Sequence, residues 1–166
     1  ATFHETNSQS GVQTDIAIAE KNGNIRIIAA YAGSIDNYSN YTIQVSDDLG
    51  ATWKVLPAPT ANPWVKIVIT DDGTKIAAIS DDLAGNYQIH TSIDSGATWT
   101  AGPTELGQVH DLAGDFGPFI WHRPVLTASA NGEKLFWATG NNSNRPGYAN
   151  YLQKSSNWGA TWTDTG

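Results

Sequence analysis

The sequence predicts an all-β chain of three four-stranded antiparallel blades belonging to a β-propeller, and three observations carry that expectation. An octapeptide of fixed form returns three times along the chain. A strand–turn–strand pattern precedes each copy. The composition favours strands and turns, with 16 Gly, 7 Trp and 6 Tyr in 166 residues and 40% hydrophobic against 15% charged side chains.

The first blade is expected at about residues 14–57. A short apolar strand at 15–19 leads to the turn Lys21-Asn22-Gly23-Asn24, and a second strand follows at 25–31. Asn-Gly is a strong hairpin signal because both central residues take positive φ. A polar loop reaches a third strand at 41–45, and the octapeptide Ser46-Asp47-Asp48-Leu49-Gly50-Ala51-Thr52-Trp53 turns the chain into a fourth. The second blade, about 64–101, repeats the order: strands at 65–70, 75–80 and 87–91, the turn Asp71-Asp72-Gly73-Thr74, and Ser92-Ile93-Asp94-Ser95-Gly96-Ala97-Thr98-Trp99. The third, about 123–166, has strands at 124–128, 134–139 and 148–154, the turn Ala130-Asn131-Gly132-Glu133, and Ser155-Ser156-Asn157-Trp158-Gly159-Ala160-Thr161-Trp162. Asp48 and Asp94 are 46 residues apart and Asp94 and Asn157 are 63 apart, a blade-sized period with an insertion before the third copy.

Within each octapeptide, Asp48 and Asp94 are suited to accept bonds from nearby backbone N–H groups, and Gly50, Gly96 and Gly159 to supply a positive φ. Trp53, Trp99 and Trp162 are expected to start the fourth strands and pack on the neighbouring strand of their own blade. Losing such a ring would cost about 3–5 kcal/mol. A calcium role is disfavoured, because D-x-G-x-T lacks the alternating oxygen ligands and closing glutamate of a calcium loop. The boxes read as structural staples; no metal and no cofactor is expected.

The pattern S-x-D-x-G-x-T-W resembles the Asp-box, or BNR, repeat of sialidases, some xyloglucanases, sortilin-type receptors and several propeller lectins. The first two copies match it at every fixed position; the third has Asn157 in place of the aspartate, which can mimic the turn without its charge. The resemblance covers nearly the whole chain and speaks to fold far more than to function.

Up-and-down strand order separates two ends of each blade. The hairpins and octapeptides are short and uniform, and share one end. The loops at 33–40, 80–86 and 140–147 and the connections at 57–63 and 101–123 differ from blade to blade and share the other. Variable loops on a rigid scaffold are where binding residues are expected. The connection 101–123 carries His110, Asp111, Asp115, Trp121, His122 and Arg123; its histidines and carboxylates could form a metal or acid–base cluster but lack the spacing of a metal site, and a loop packed over the blade junction is the favoured reading. Asn142, Asn144, Arg145 and Tyr148, with Tyr38 and Tyr41 from the first blade, combine aromatic faces with amide and guanidinium donors, the chemistry that holds sugars. Asn, Gly and Ser also favour solvated turns, so that loop has a plainer reading too.

Composition limits the partners. With a formal charge of −7 and three arginines, the chain has no basic patch for phosphates, so neither nucleic acid nor an anionic membrane is expected. No apolar run has membrane-spanning length, and Cys is absent. A start at Ala1 without Met and N-x-S/T sites at Asn37, Asn40 and Asn141 accord with a secreted or extracellular product.

Three functions follow. A saccharide-binding, lectin-like propeller suits the loops. A protein-interaction scaffold is the first alternative. A sialidase-type glycoside hydrolase is the second: the resemblance implies an arginine cluster with a tyrosine nucleophile, and Arg123-Pro124 occupies a place where such an arginine occurs without the F-R-I-P sequence. Three blades do not close a ring, so a homodimer forming a six-bladed propeller is expected, or else a longer chain with its other blades elsewhere.

Overall fold

Runs of Ile, Val and Ala closed by Asn-Gly or Asp-Gly fold as hairpins, and four strands in succession make each sheet. The computed structural model describes residues 13–31, 41–59, 62–82, 87–102, 124–139 and 151–165. Strands β1 (Gln13–Lys21), β2 (Asn24–Tyr31), β3 (Ile43–Ser46) and β4 (Lys54–Val55) form the first sheet. The second holds β5 (Trp64–Ile69), β6 (Ile76–Asp81), β7 (Tyr87–Ser92) and β8 (Thr100–Ala101). The third holds β9 (Val125–Ala128), β10 (Leu135–Thr139), β11 (Tyr151–Ser155) and β12 (Thr163–Asp164). In every sheet the strands lie in chain order and all pairs are antiparallel. No helix occurs among the described residues.

The three sheets share one register. Ser46, Ser92 and Ser155 sit opposite Ile27, Ile76 and Leu135, so any position in one blade has a defined counterpart in the others. Only the first hairpin uses a turn with two positive-φ residues, Asn22 at 55° and Gly23 at 78°. In the other two hairpins Gly73 and Gly132 alone have positive φ, contrary to the sequence expectation. There the Asp72 and Asn131 side chains accept the amides of Thr74 and Glu133 at 3.0 and 3.1 Å, which stabilises a turn of another type.

Each octapeptide closes on a buried serine. Its hydroxyl donates to Asp48, Asp94 or Asn157 at 2.7–2.9 Å and accepts the amide of Gly50, Gly96 or Gly159 at 2.8–2.9 Å. The acidic or amide side chain in turn accepts the amide of Thr52, Thr98 or Thr161 at 2.8–2.9 Å. Asn157 supplies the same acceptor and turns its NH₂ toward the Thr161 hydroxyl at 2.9 Å, where the aspartates accept instead. Positive φ extends to the residue before each glycine: Leu49, Ser95 and Trp158.

The tryptophans depart from expectation in two ways. Each indole N–H bonds its own turn's glycine carbonyl at 3.1 Å, which keeps Trp53, Trp99 and Trp162 in the turn, so the fourth strand begins one residue later. Trp99 packs on the core shared by the first two blades, and Trp162 on the core shared by the last two. They help to seal joints between blades, and Trp99 also lies beside Trp64 of its own sheet, with 6.2 Å between ring centroids.

Two hydrophobic cores fill those joints. Ile28, Ala30, Ile43 and Leu56 of the first blade meet Trp64, Ile67, Ile76 and Ala78 of the second. Ala77, Ile79 and Ile89 of the second meet Leu126, Leu135, Trp137 and Trp158 of the third. Polar links reinforce the first joint: Thr14 donates to the Trp64 carbonyl, and Asp15 accepts the Ile67 amide at 3.0 Å and pairs with Lys66 at 3.4 Å. At the second joint Trp158 donates to the Ser92 carbonyl at 3.0 Å.

Two glycines with similar φ should respond differently to alanine. At Gly96 (φ 86°) a Cβ would lie 2.5 Å from Leu56 Cδ1, whereas at Gly23 (φ 78°) nothing lies within 4 Å. Gly23→Ala should cost about 1 kcal/mol from backbone strain, and Gly96→Ala about 2–4 kcal/mol, because overpacking adds to it. Urea unfolding of the two variants measures the difference.

Candidate functional site

The variable-loop end takes its shape from where the strands stop. At that end β2 and β6 finish at Tyr31 and Asp81, β5 starts at Trp64, and β3 and β7 start near Tyr41 and Tyr87. Backbone bonds from Tyr31 N to Thr42 O and from Asp81 N to Pro63 O, both 2.9 Å, tie the rim together. Tyr41 and Tyr87 stand at the same register, each two residues before a buried isoleucine, Ile43 or Ile89. Both are half-buried, with Tyr41 against the first core and Tyr87 against the second. Adjacent blades thus each place one tyrosine at this rim.

Of the residues singled out from sequence for binding, Tyr41 is described. Tyr38, Trp121, His122, Arg123, Asn142, Asn144, Arg145 and Tyr148 lie outside the described residues, as do His110, Asp111 and Asp115. Sequence reasoning passed over Tyr87 as a ligand contact, although it precedes Ser92 by the same five residues that separate Tyr41 from Ser46. That matching offset was the available signal.

Below the rim lies a polar layer that sequence did not disclose. Ser80 Oγ is 3.1 Å from His90 Nε2, and the Trp64 ring meets the imidazole edge-on at 5.2 Å between centroids. All three side chains are buried. The Trp64 indole N–H and His90 Nδ1 have no hydrogen-bond partner among the described residues, and the same holds for the Trp137 indole N–H and Gln153 Oε1 in the third blade. A serine beside a histidine suggests a nucleophile with its base, but desolvation lowers His90 to about 4. Such an imidazole is a weak base at neutral pH, and the buried Ser80 is closed to substrate. The pair is a packing element.

The opposite end holds a cleft of about 450 Å³ between the first two hairpins, lined by Arg26, Asp47, Asp71, Asp72 and their neighbours. Three of its charges, Arg26, Asp47 and Asp72, are already engaged. Arg26 is paired with Asp47 at 2.6 and 3.1 Å and donates to the Gly73 carbonyl at 3.1 Å. Asp72 is held at about 2 by the Thr70 hydroxyl and by the amide and hydroxyl of Thr74. Among the described residues no group of three or more His, Asp or Glu is placed to hold a metal ion. The loop end is the better candidate.

No family model and no curated protein matches the sequence. Solved structures match its fold. A GH74 enzyme of Niastella koreensis superposes with a TM-score of 0.60 at 16% identity, over 93% of this chain and 22% of that one. TolB from Acinetobacter baumannii gives 0.58 at 20% identity, over 96% and 33%. An α-L-arabinofuranosidase of Fusarium graminearum, solved with an iminosugar inhibitor, gives 0.50 at 14% identity, over 91% and 47%. The chain therefore spans between about a fifth and a third of the length of the first two. What is shared is architecture: the three sheets are blades of propeller type.

The buried imidazole and the turn carboxylates set the acid response. His90 has its folded pKa lowered to about 4 from 6.5, so between those values the unfolded chain binds the proton and stability falls as pH falls. Asp48 and Asp94 are lowered to about 2 from 3.8, first by the hydroxyls of Thr52 and Thr98, so their contribution is present above about 4 and is lost toward 2. The counterparts of His90 in the other blades are Gln44 and Gln153. His90→Gln should therefore flatten the urea midpoint between pH 6.5 and 4 while leaving the steeper loss below pH 4, as read by denaturation at half-unit pH steps.

Proposed function

We propose that this chain is a saccharide-binding segment of a β-propeller whose ligand lies at the variable-loop end, over Tyr41 and Tyr87. The observation that carries the reading is the matched placement of the two tyrosines at the rim of adjacent blades. A half-buried aromatic ring fixed by a core offers a rigid face to the C–H side of a pyranose at little entropic cost. The segments 32–40 and 140–150 carry in their sequence Tyr38, Asn142, Asn144, Arg145 and Tyr148, the donors and acceptors that pyranose hydroxyls require. The octapeptides support an Asp-box (BNR) assignment, since all three build the same serine-centred turn. An extracellular location fits such a binder.

A glycoside hydrolase is the second reading. It is favoured by the fold likeness to a GH74 enzyme and an arabinofuranosidase, and by Asp81 and Asp82 at the rim end of β6. In this reading one of these carboxylates would serve as the acid or the base on a glycosidic bond.

A glycan array followed by calorimetry on the strongest hits tests the proposal. Binding should fall at least about tenfold, or ~1.4 kcal/mol, in Tyr41→Ala and in Tyr87→Ala, with the near-UV spectrum unchanged. A folded chain that binds no saccharide contradicts it. Reducing-sugar release that disappears in Asp81→Asn would move the assignment to the hydrolase.

A further inference from the structure

The two outer faces of the three-blade stack are not alike, and the joints inside the stack show what each is built to meet. Every joint pairs a following face on one blade with a preceding face on the next. In the following face, Ile43 and Ile89 occupy one register position and are buried by the next blade. Their counterpart in the third blade is Leu152, which is 43% exposed. Beside it Val125, the counterpart of Asp15 and Lys66, is 58% exposed. In the preceding face, Ile67 and Leu126 are buried by the blade before them. Their counterpart in the first blade is Ile16, which with its neighbour Ile18 is 55% and 63% exposed. Leu49, the counterpart of the buried Trp158, is also exposed.

A cation repeats with the faces. Arg26 and Lys75 hold one register position, immediately before Ile27 and Ile76. Each crosses its joint to the hairpin glycine of the following blade: Arg26 donates to the Gly73 carbonyl and Lys75 to the Gly132 carbonyl, both at 3.1 Å. Their side chains cover those glycines, with Arg26 Cδ and Lys75 Cδ 3.3 and 2.8 Å from where a Cβ would stand. Lys134 is the third member of the series. It is exposed, and its bonds among the described residues are made by its backbone, to Ser129, while its ammonium makes none. The first hairpin is the complementary case: nothing lies within 4 Å of the Cβ direction at Gly23. That hairpin's ladder also runs three pairs further than the others, through Ala19–Arg26, Glu20–Ile25 and Lys21–Asn24, where the second and third stop at Ile69–Ile76 and Ala128–Leu135.

We propose that the following face of the third blade docks the preceding face of the first blade of a second copy, head to tail, with Lys134 directed at the carbonyls of the 22–23 hairpin. Leu152 and Val125 then take the place at this joint that Ile43 and Asp15 hold at the first joint, and Ile16, Ile18 and Leu49 take that of Ile67, Ile69 and Ser95. The same contact made twice by two copies closes on itself. Six blades share one axis and no apolar face is left in water.

The test is solution mass by light scattering on the 166-residue chain. A mass twice the 17.8 kDa of one chain is expected at micromolar concentration. Leu152→Glu and Ile18→Asp lie at exposed positions, so each variant should keep its near-UV tryptophan spectrum and shift to single-chain mass. Mixing the two variants leaves one intact joint per pair and should restore the two-chain mass in part. Lys134→Glu should weaken self-association at least tenfold. A wild-type chain that stays single at all concentrations overturns the proposal, and so does an open ladder of masses. Variants that remain paired, or a mixture that fails to associate, overturn the head-to-tail docking.

Discussion

A buried serine hydroxyl is the interaction on which the rest of the structure depends. At Ser46, Ser92 and Ser155 one oxygen donates to the side chain two residues on and accepts the glycine amide four residues on. Without it the turn would bury a glycine N–H with no partner, a loss of about 1–3 kcal/mol at each site. The closed turn does more than reverse the chain. It forces positive φ on two successive residues, and so aims the tryptophan three places beyond the second of them, Trp99 or Trp162, into the joint with the preceding blade. Local hydrogen bonding therefore sets long-range packing.

The joints have the opposite character. They are broad apolar contacts into which a few polar links are set at fixed register. Because all three blades share that register, a side chain can be compared with its two counterparts as if in a built-in mutant series. Trp158 is the informative departure. Where the first two octapeptides carry Leu49 and Ser95, the third places an indole at φ 53°, buries it against the second blade and sets Lys75 5.6 Å above the ring. A bulky residue in a left-handed conformation is costly, and the buried area with the bond to Ser92 offsets that cost.

Much of the fold was legible because the repeat fixes the turns and the turns fix the strands. Gly50, Gly96 and Gly159, with a polar side chain two residues earlier, announce the same geometry three times, and Asn157 could be read as an aspartate surrogate because an amide oxygen accepts the same amide bond. The direction of the tryptophans was not legible. Spacing places Trp99 next to a strand, but only the turn's backbone angles decide that it faces the neighbouring blade. The type of the second and third hairpins was hidden for a similar reason, since Asp72 and Asn131 satisfy the turn through side chains and not through positive φ. For the candidate site, Tyr41 was found by chemistry and Tyr87 only by register. The Ser80–His90–Trp64 cluster left no trace in sequence, because nothing in a linear pattern shows that residues from three strands share one buried layer.

Amide hydrogen exchange at the octapeptides tests the serine-centred turn most directly. The turns lie at the surface and the Thr52 and Thr98 side chains are exposed, so an ordinary loop there would exchange quickly. If the hydroxyl network organises the blades, the amides of Gly50, Gly96, Gly159, Thr52, Thr98 and Thr161 exchange as slowly as those of the central strands β2, β6 and β10. Exchange of those six amides at rates near those of an unstructured peptide, while the central strands stay protected, would contradict the account.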